Sequence, residues 1–243
     1  NRYADTIIDL KSAYDQLDAG HEKSLNLENK LFQIAYYDEL TALPNKFMLE
    51  EKINLYIEEH PLDGLIGFIY FDIDEFRNIN EVKGHSVGDQ LIKNIADLLR
   101  TQIHEPNMLA RMGGDEFVLA LFSLEQLDTF MEQVEGYLST IRKTFVLEED
   151  HFFVTYSAGV ALYPDHGKDY ITLFRHADAA MSMAKSKGKD QIVIFDDEMV
   201  LLIKQQTEIL NQLRSAISNQ QFSLHYQPII NVQTQDVIGV EAL

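Results

Sequence analysis

Cysteine is absent from the 243 residues, which excludes disulfides and thiolate metal sites and fits a reducing compartment. No apolar run reaches membrane-spanning length and no secretory leader is present, so the expected setting is cytoplasmic, without insertion of this chain into a membrane. Positive charge is scarce: 20 Lys and Arg stand against 39 Asp and Glu, a formal net charge of -19. Such a surface repels nucleic-acid phosphates and anionic membranes, and an anionic ligand would need local cations or a metal to override the field. Apolar residues make up 46% of the chain, enough for a sizeable core in one domain with attachments or in two small domains. Asn1 is not a natural start, so the chain reads as a piece of a longer protein, and an upstream sensor or membrane domain is compatible with it.

Residues 1–35 contain no proline and only one glycine, Gly20. Apolar residues recur at Tyr3, Ile7, Leu10, Tyr14 and Leu17, and again at Leu27, Leu31 and Ile34, with the register broken around Gly20. The pattern predicts a helical stalk with an interrupted heptad seam that pairs two chains. An amphipathic helix lying on its own domain would give the same pattern.

From Tyr36 onward the texture is that of a compact domain. LIGFIYF (65–71) reads as a strand buried on both faces, and SVGDQLIKNIADLLR (86–100) as an amphipathic helix with Ser86 and Asp89 as a capping box. MLARMGGDEFVLALF (108–122) is two strand-like runs joined at Gly113-Gly114, a strong hairpin signal. Residues 125–143 read as helix, 154–162 as strand, 173–187 as a helix stopped by Gly188, and 191–195 as a short strand. The order β-α-β-β-α-β-α-β fits a ferredoxin-like α/β (α+β) core, with a central antiparallel sheet flanked by helices. Residues 197–219 read as a linking helix, and the apolar runs 222–230 and 237–243 as the opening of a second, unfinished domain.

The first strand runs straight into Asp72 and Asp74, and carboxylates at the end of a buried strand are costly unless a charged group meets them. The hairpin adds Asp115 and Glu116 just past two glycines that permit a tight turn and close ligand approach. A central strand and an adjacent hairpin can bring Asp72 and Asp115 together, and hard oxygen ligands suit Mg²⁺ or Mn²⁺ with phosphate oxygens completing the shell. The plainer alternative is a turn carrying solubilising acids. Arg77 and the cluster Lys185, Lys187 and Lys189 stand where a polyphosphate would need cations. Lysines at a helix end also favour the helix dipole, so the cluster alone is weak evidence.

Over residues 36–196 the chain resembles the diguanylate cyclase (GGDEF) family. The resemblance rests on DELTALPNKFMLEEKI (38–53), FDIDEFRNINEVKGHSVGD (71–89), ARMGGDEF (110–117), SAGVALYP (157–164) and ADAAMSMAKSKGKD (177–190). It implies a core like that of nucleotide cyclases and polymerase palm domains. It also implies condensation of two GTP molecules into cyclic di-GMP with release of two pyrophosphates, in a homodimer whose domains each hold one GTP. Carried over residue by residue, Asp72, the Ile73 carbonyl and Asp115 would bind the metal, with Glu116 as an auxiliary carboxylate. Asn80 and Asp89 would read the guanine edge. Arg77, Lys185 and Lys189 would contact phosphate, and Asp38 and Arg111 would form a structural ion pair.

The sequence also departs from the family pattern. Where many members carry an inhibitory Arg-x-x-Asp product site, this chain has His104-Glu105-Pro106-Asn107. Glu81 stands where Asp is commoner, Arg77 where Lys is commoner, and Lys189-Asp190 where Arg-Asn is commoner. LRSAI (213–217), FSLHYQPII (222–230) and GVEAL (239–243) resemble the start of an EAL-type cyclic di-GMP phosphodiesterase, with Glu241 at its first metal-ligand position. That resemblance implies a tandem parent protein with an attached EAL domain. Two other roles stay open beside the cyclase: a GTP-binding regulatory module of such a parent, and a purely structural dimerisation piece.

Overall fold

The computed structural model describes residues 21, 23, 26–60, 64–122, 127–147, 149–219 and 221–242. They form two compact units divided between Asp196 and Asp197. The stalk positions Tyr3, Ile7, Leu10, Tyr14 and Leu17 lie outside the described residues.

In the first unit, residues 26–36 form helix α1. Its seam residues Leu27, Leu31 and Ile34 are 58%, 58% and 65% exposed, so this stretch of the stalk does not bury its apolar face on its own domain. Helix α2 (Lys46–Glu59) begins at Asn45, whose side chain accepts from the Phe47 and Met48 amides. Strand β1 (Ile66–Ile73) follows and is buried at every position. Then come α3 (Phe76–Lys83), α4 (His85–Arg100), β2 (Met108–Gly113), β3 (Glu116–Phe122) and α5 (Leu127–Ser139). A two-stranded sheet, β4 (Thr144–Leu147) with β5 (Asp150–Phe153), precedes β6 (Tyr156–Tyr163), α6 (Tyr170–Ser186) and β7 (Gln191–Ile194).

The main sheet has the order β2-β3-β1-β6-β7. Side chains alternate across a strand, so β1 divides the core in two. Ile69, Phe71 and Ile73 pack with Leu91, Ile92, Ile95 and Leu99 of α4 and with Phe130, Val134 and Leu138 of α5. Ile66, Phe68 and Tyr70 pack with Leu49 and Ile53 of α2 and with Leu173, Ala177 and Met181 of α6. Burial of each large side chain contributes about 1.5–3 kcal/mol, so β1 is fixed between two helical layers. At Gly159 of β6 a Cβ would collide with the α6 backbone at Ala177 and Met181, so strand and helix approach main chain to main chain.

Three sequence expectations are corrected. The sheet is not wholly antiparallel: β7 runs parallel to β6, because α6 carries the chain back across the sheet between them. Ser86 and Asp89 form no capping box; α4 starts at His85 after Gly84, without a side-chain cap. The β4–β5 hairpin and α3 are additional elements within the expected order.

The second unit holds α7 (Asp197–Ser218) and an antiparallel hairpin of β8 (Tyr226–Ile230) and β9 (Val237–Ala242). Among the described residues, no helix is long and apolar enough to cross a membrane.

Candidate active site

The Gly-Gly hairpin is shaped by positive φ at Gly113 (136°) and Gly114 (55°), values that favour glycine. It is also braced from outside. Arg111 donates from Nη1 to both carboxylate oxygens of Asp38, at 2.8 and 2.9 Å, and from Nη2 to the Gly114 carbonyl at 2.7 Å. Asp38 further accepts from the Thr41 amide and hydroxyl. Burial alone would raise the Asp38 pKa, but these hydrogen bonds hold it below the usual carboxylate value. The expected Asp38–Arg111 pair thus ties the segment before α2 to the turn that presents Asp115.

Asp72 is the penultimate residue of β1, opposite Glu116 on β3 and Ser157 on β6. It is 5% exposed. Its Oδ2 pairs with Lys185 of α6, and its Oδ1 is buried with no hydrogen-bond partner. Burial pushes its pKa up to about 6 against the pull of Lys185, with the charges of Asp115 and Asp74 adding to the rise. Asp115 is raised too, chiefly by burial. An orphaned carboxylate oxygen beside a second desolvated carboxylate is a donor set that a divalent cation would complete. Among the described residues no three His, Asp or Glu groups converge closely enough to hold a metal by themselves. Asp72 and Asp115 would thus supply only part of a shell, and ligand oxygens would have to complete it.

Asp74 has a different task. It is 8% exposed and accepts from Ser157 Oγ at 2.7 Å, Thr155 Oγ1 at 2.7 Å and the Asp190 amide at 3.0 Å. Every one of these bonds is internal to the fold, so Asp74 supports the loop after α6 rather than facing a ligand. Ser157, wholly buried, was not singled out from the sequence; the only signal was a polar residue within an apolar strand run.

Asn80 lies on α3 and Asp89 on the exposed side of α4. The Asn80 Oδ1 atom is buried without a partner, and a Cβ at Gly88 would collide with it, so Gly88 makes the room that this amide occupies. Each of the three expected phosphate contacts is paired with an acid: Arg77 with Glu81, Lys185 with Asp72, and Lys189 with Glu75. Arg77 is 90% exposed in its side chain and lies along the α3 surface rather than against Asp72. On the α6 side of the sheet, Tyr70 and Asp178 surround Glu116. Burial raises both of their pKa values, and the Glu116 carboxylate adds to the rise.

The sheet order, the two helical layers and the carboxylates at the mouth of β1 define a palm-like α+β core. The Diguanylate cyclase, GGDEF domain family matches residues 35–191, and the chain belongs to that family. It is 33% identical over 215 residues to the bifunctional diguanylate cyclase/cyclic di-GMP phosphodiesterase MucR of Pseudomonas aeruginosa, covering 88% of this chain and 31% of that protein. It is also 33% identical over 216 residues to the cyclic di-GMP phosphodiesterase PdeR of Escherichia coli, covering 89% of this chain and 32% of that protein. The chain thus spans about a third of the length of these relatives. Among solved structures, the GGDEF domain of YfiN (TpbB) from Pseudomonas aeruginosa superposes with a TM-score of 0.65 at 27% identity, covering 70% of this chain and 99% of that one.

Proposed function

We propose that this domain binds GTP and that two copies, face to face, condense two GTP molecules into cyclic di-GMP and two pyrophosphates. The observation that carries the reading is the orphaned, buried oxygen of Asp72 beside the Asp115 hairpin, in a chain of the GGDEF family. Asp72, the Ile73 carbonyl and Asp115 would hold Mg²⁺ or Mn²⁺. When bound, the ion supplies positive charge at the α-phosphate and makes the 3′-hydroxyl more acidic. Asn80 and Asp89 orient the base, the carboxylate accepting from guanine N1 and N2 and the amide pairing with its acceptors. Lys185 and Lys189 exchange their carboxylate partners for phosphate oxygens. The 3′-oxygen of each GTP then bonds to the α-phosphorus of the other, each hydroxyl gives its proton to water, and each α–β bond breaks, so that two phosphodiesters form and two pyrophosphates leave.

A second reading, a GTP-binding module that regulates an attached phosphodiesterase, draws on the relatives. The similarity to MucR and PdeR covers 88% and 89% of this chain, and so extends beyond the 35–191 match; both names include phosphodiesterase. We read residues 213–243 as the opening of such a domain from LRSAI, FSLHYQPII and GVEAL, with Glu241 on β9 at its first metal-ligand position.

One experiment separates the readings. The protein is incubated with GTP and Mg²⁺ or Mn²⁺ over a wide range of protein concentration, and products are resolved by chromatography. Cyclic di-GMP from the native protein and none from Asp115→Asn, at equal GTP-independent stability, supports the cyclase. GTP binding without product supports the regulatory module, and no binding removes both.

A further inference from the structure

The loop after α6 has an unusual backbone. Three consecutive residues have positive φ: Gly188 at 113°, Lys189 at 64° and Asp190 at 48°. Glycine tolerates this region and Asp visits it, whereas Lys rarely does. Such a path persists only when its surroundings over-determine it. Here the Lys189 amide donates to the Ala184 carbonyl and the Asp190 amide to the buried Asp74 carboxylate, each at 3.0 Å. The Asp190 side chain is held separately. It pairs with Arg142, in the turn between α5 and β4, while its second oxygen is buried without a partner. The loop is therefore held from below by Asp74 and from the side by Arg142, and it carries Lys189 against Glu75 at the start of α3.

We propose that Arg142 is a positioning residue for nucleotide binding. It neutralises Asp190, which would otherwise put an unpaired negative charge in the loop that carries Lys189, and it locks the left-handed path of that loop. The inference rests on the GTP-binding reading of the site. Arg142 lies outside every motif that marks this site in the sequence, and its guanidinium faces Asp190 rather than Asp72 or Asp115. An Asn at 190 would adopt the same backbone readily and would need no cation beside it. The ligand class that benefits is a nucleoside triphosphate. A monoanion or a neutral nucleoside would gain much less from removal of one negative charge.

The test is a charge cycle read by calorimetry with a GTP analogue whose α–β bridging oxygen is a methylene, so that no turnover intervenes. Arg142→Ala is expected to weaken binding about five- to tenfold, the effect of one uncompensated charge a few ångströms beyond contact in a partly solvated site. Asp190→Asn should bind within about twofold of the native protein, and adding Arg142→Ala to it should cost little more, because the charge to be neutralised is gone. Unchanged binding in Arg142→Ala, or a double variant as weak as Arg142→Ala, would overturn the proposal; the latter result would mean that Arg142 meets the phosphates itself. Hydrogen exchange over residues 187–191 supplies a nucleotide-free readout. Exchange should quicken in Arg142→Ala, and unchanged exchange overturns the loop-locking claim even if native protein binds no analogue. Absence of analogue binding by native protein would instead sink the GTP reading.

Discussion

Asp72 is buried and Asp38 partly so, and their different hydrogen-bond partners leave them with opposite pH behaviour. The Asp72 pKa is pushed up to about 6, chiefly by burial. A carboxyl that binds its proton more tightly when folded adds stability in full below about pH 4 and loses it as pH rises through about 6. At pH 7 the metal-free protein therefore carries a cost at this position. One pKa unit corresponds to about 1.4 kcal/mol, and contact with solvent reduces the figure, so Asp72→Asn should stabilise the metal-free domain at pH 7 by roughly 1–2 kcal/mol. That gain should shrink toward pH 5. For Asp38 burial acts upward, but hydrogen bonds from Thr41 and Arg111 outweigh it and the pKa is lowered. Its stability is present above about pH 4 and is lost as pH falls through the depressed value, so Asp38→Asn should cost about 2 kcal/mol at pH 7 and converge with native protein in acid. Thermal melts with chelator across pH 3–8 check both; a less stable Asp72→Asn at pH 7 refutes the first. The Asp38–Arg111 pair and the nearness of Asp72 to Asp115 were legible from sequence because each residue stands within a short motif. Arg142 and Ser157 were not, because their partners Asp190 and Asp74 are distant in the chain and only the fold unites them.

Among the elements, β1, α4, the β2–β3 hairpin and α6 were all readable, since each repeats its apolar residues at the period of its own geometry. The β4 and β5 strands are four residues each, and α3 presents eight residues with only Phe76 buried, too little for a period to emerge. The loop between α4 and β2 bears directly on regulation. Asn107 accepts from the Phe122 amide at 3.0 Å, so its side-chain oxygen serves the edge of β3. His104 stands where an arginine would be needed to clamp a phosphate or guanine. Each missing charge-assisted hydrogen bond forfeits about 1.5–3 kcal/mol. Initial cyclase rates should therefore be insensitive to micromolar cyclic di-GMP once competition at the active site is accounted for. Tight noncompetitive inhibition that disappears in His104→Ala would contradict this.

For the molecule as a whole, the proposed reaction brings two copies together against a net charge of -19 on each chain. At physiological ionic strength the Debye length is about 8 Å, so this repulsion is screened beyond close range but still opposes the final approach. The exposed Leu27, Leu31 and Ile34 of α1 offer an apolar seam that can offset it. Removal of residues 1–35 should accordingly lower specific cyclase activity most at low protein concentration, with partial recovery as concentration rises. Unchanged activity and unchanged sedimentation after truncation would remove the stalk from the mechanism.

The main-chain contact at Gly159 gives the site its fixed dimension. Because β6 lies against the α6 backbone there with no room for a Cβ, any side chain at position 159 would push helix and strand apart and move Lys185 relative to Asp72. The spacing of the candidate site is thus set, like a gauge block, by main chain against main chain. On the proposed mechanism, control over the reaction then comes from how often and at what angle two such faces are brought together.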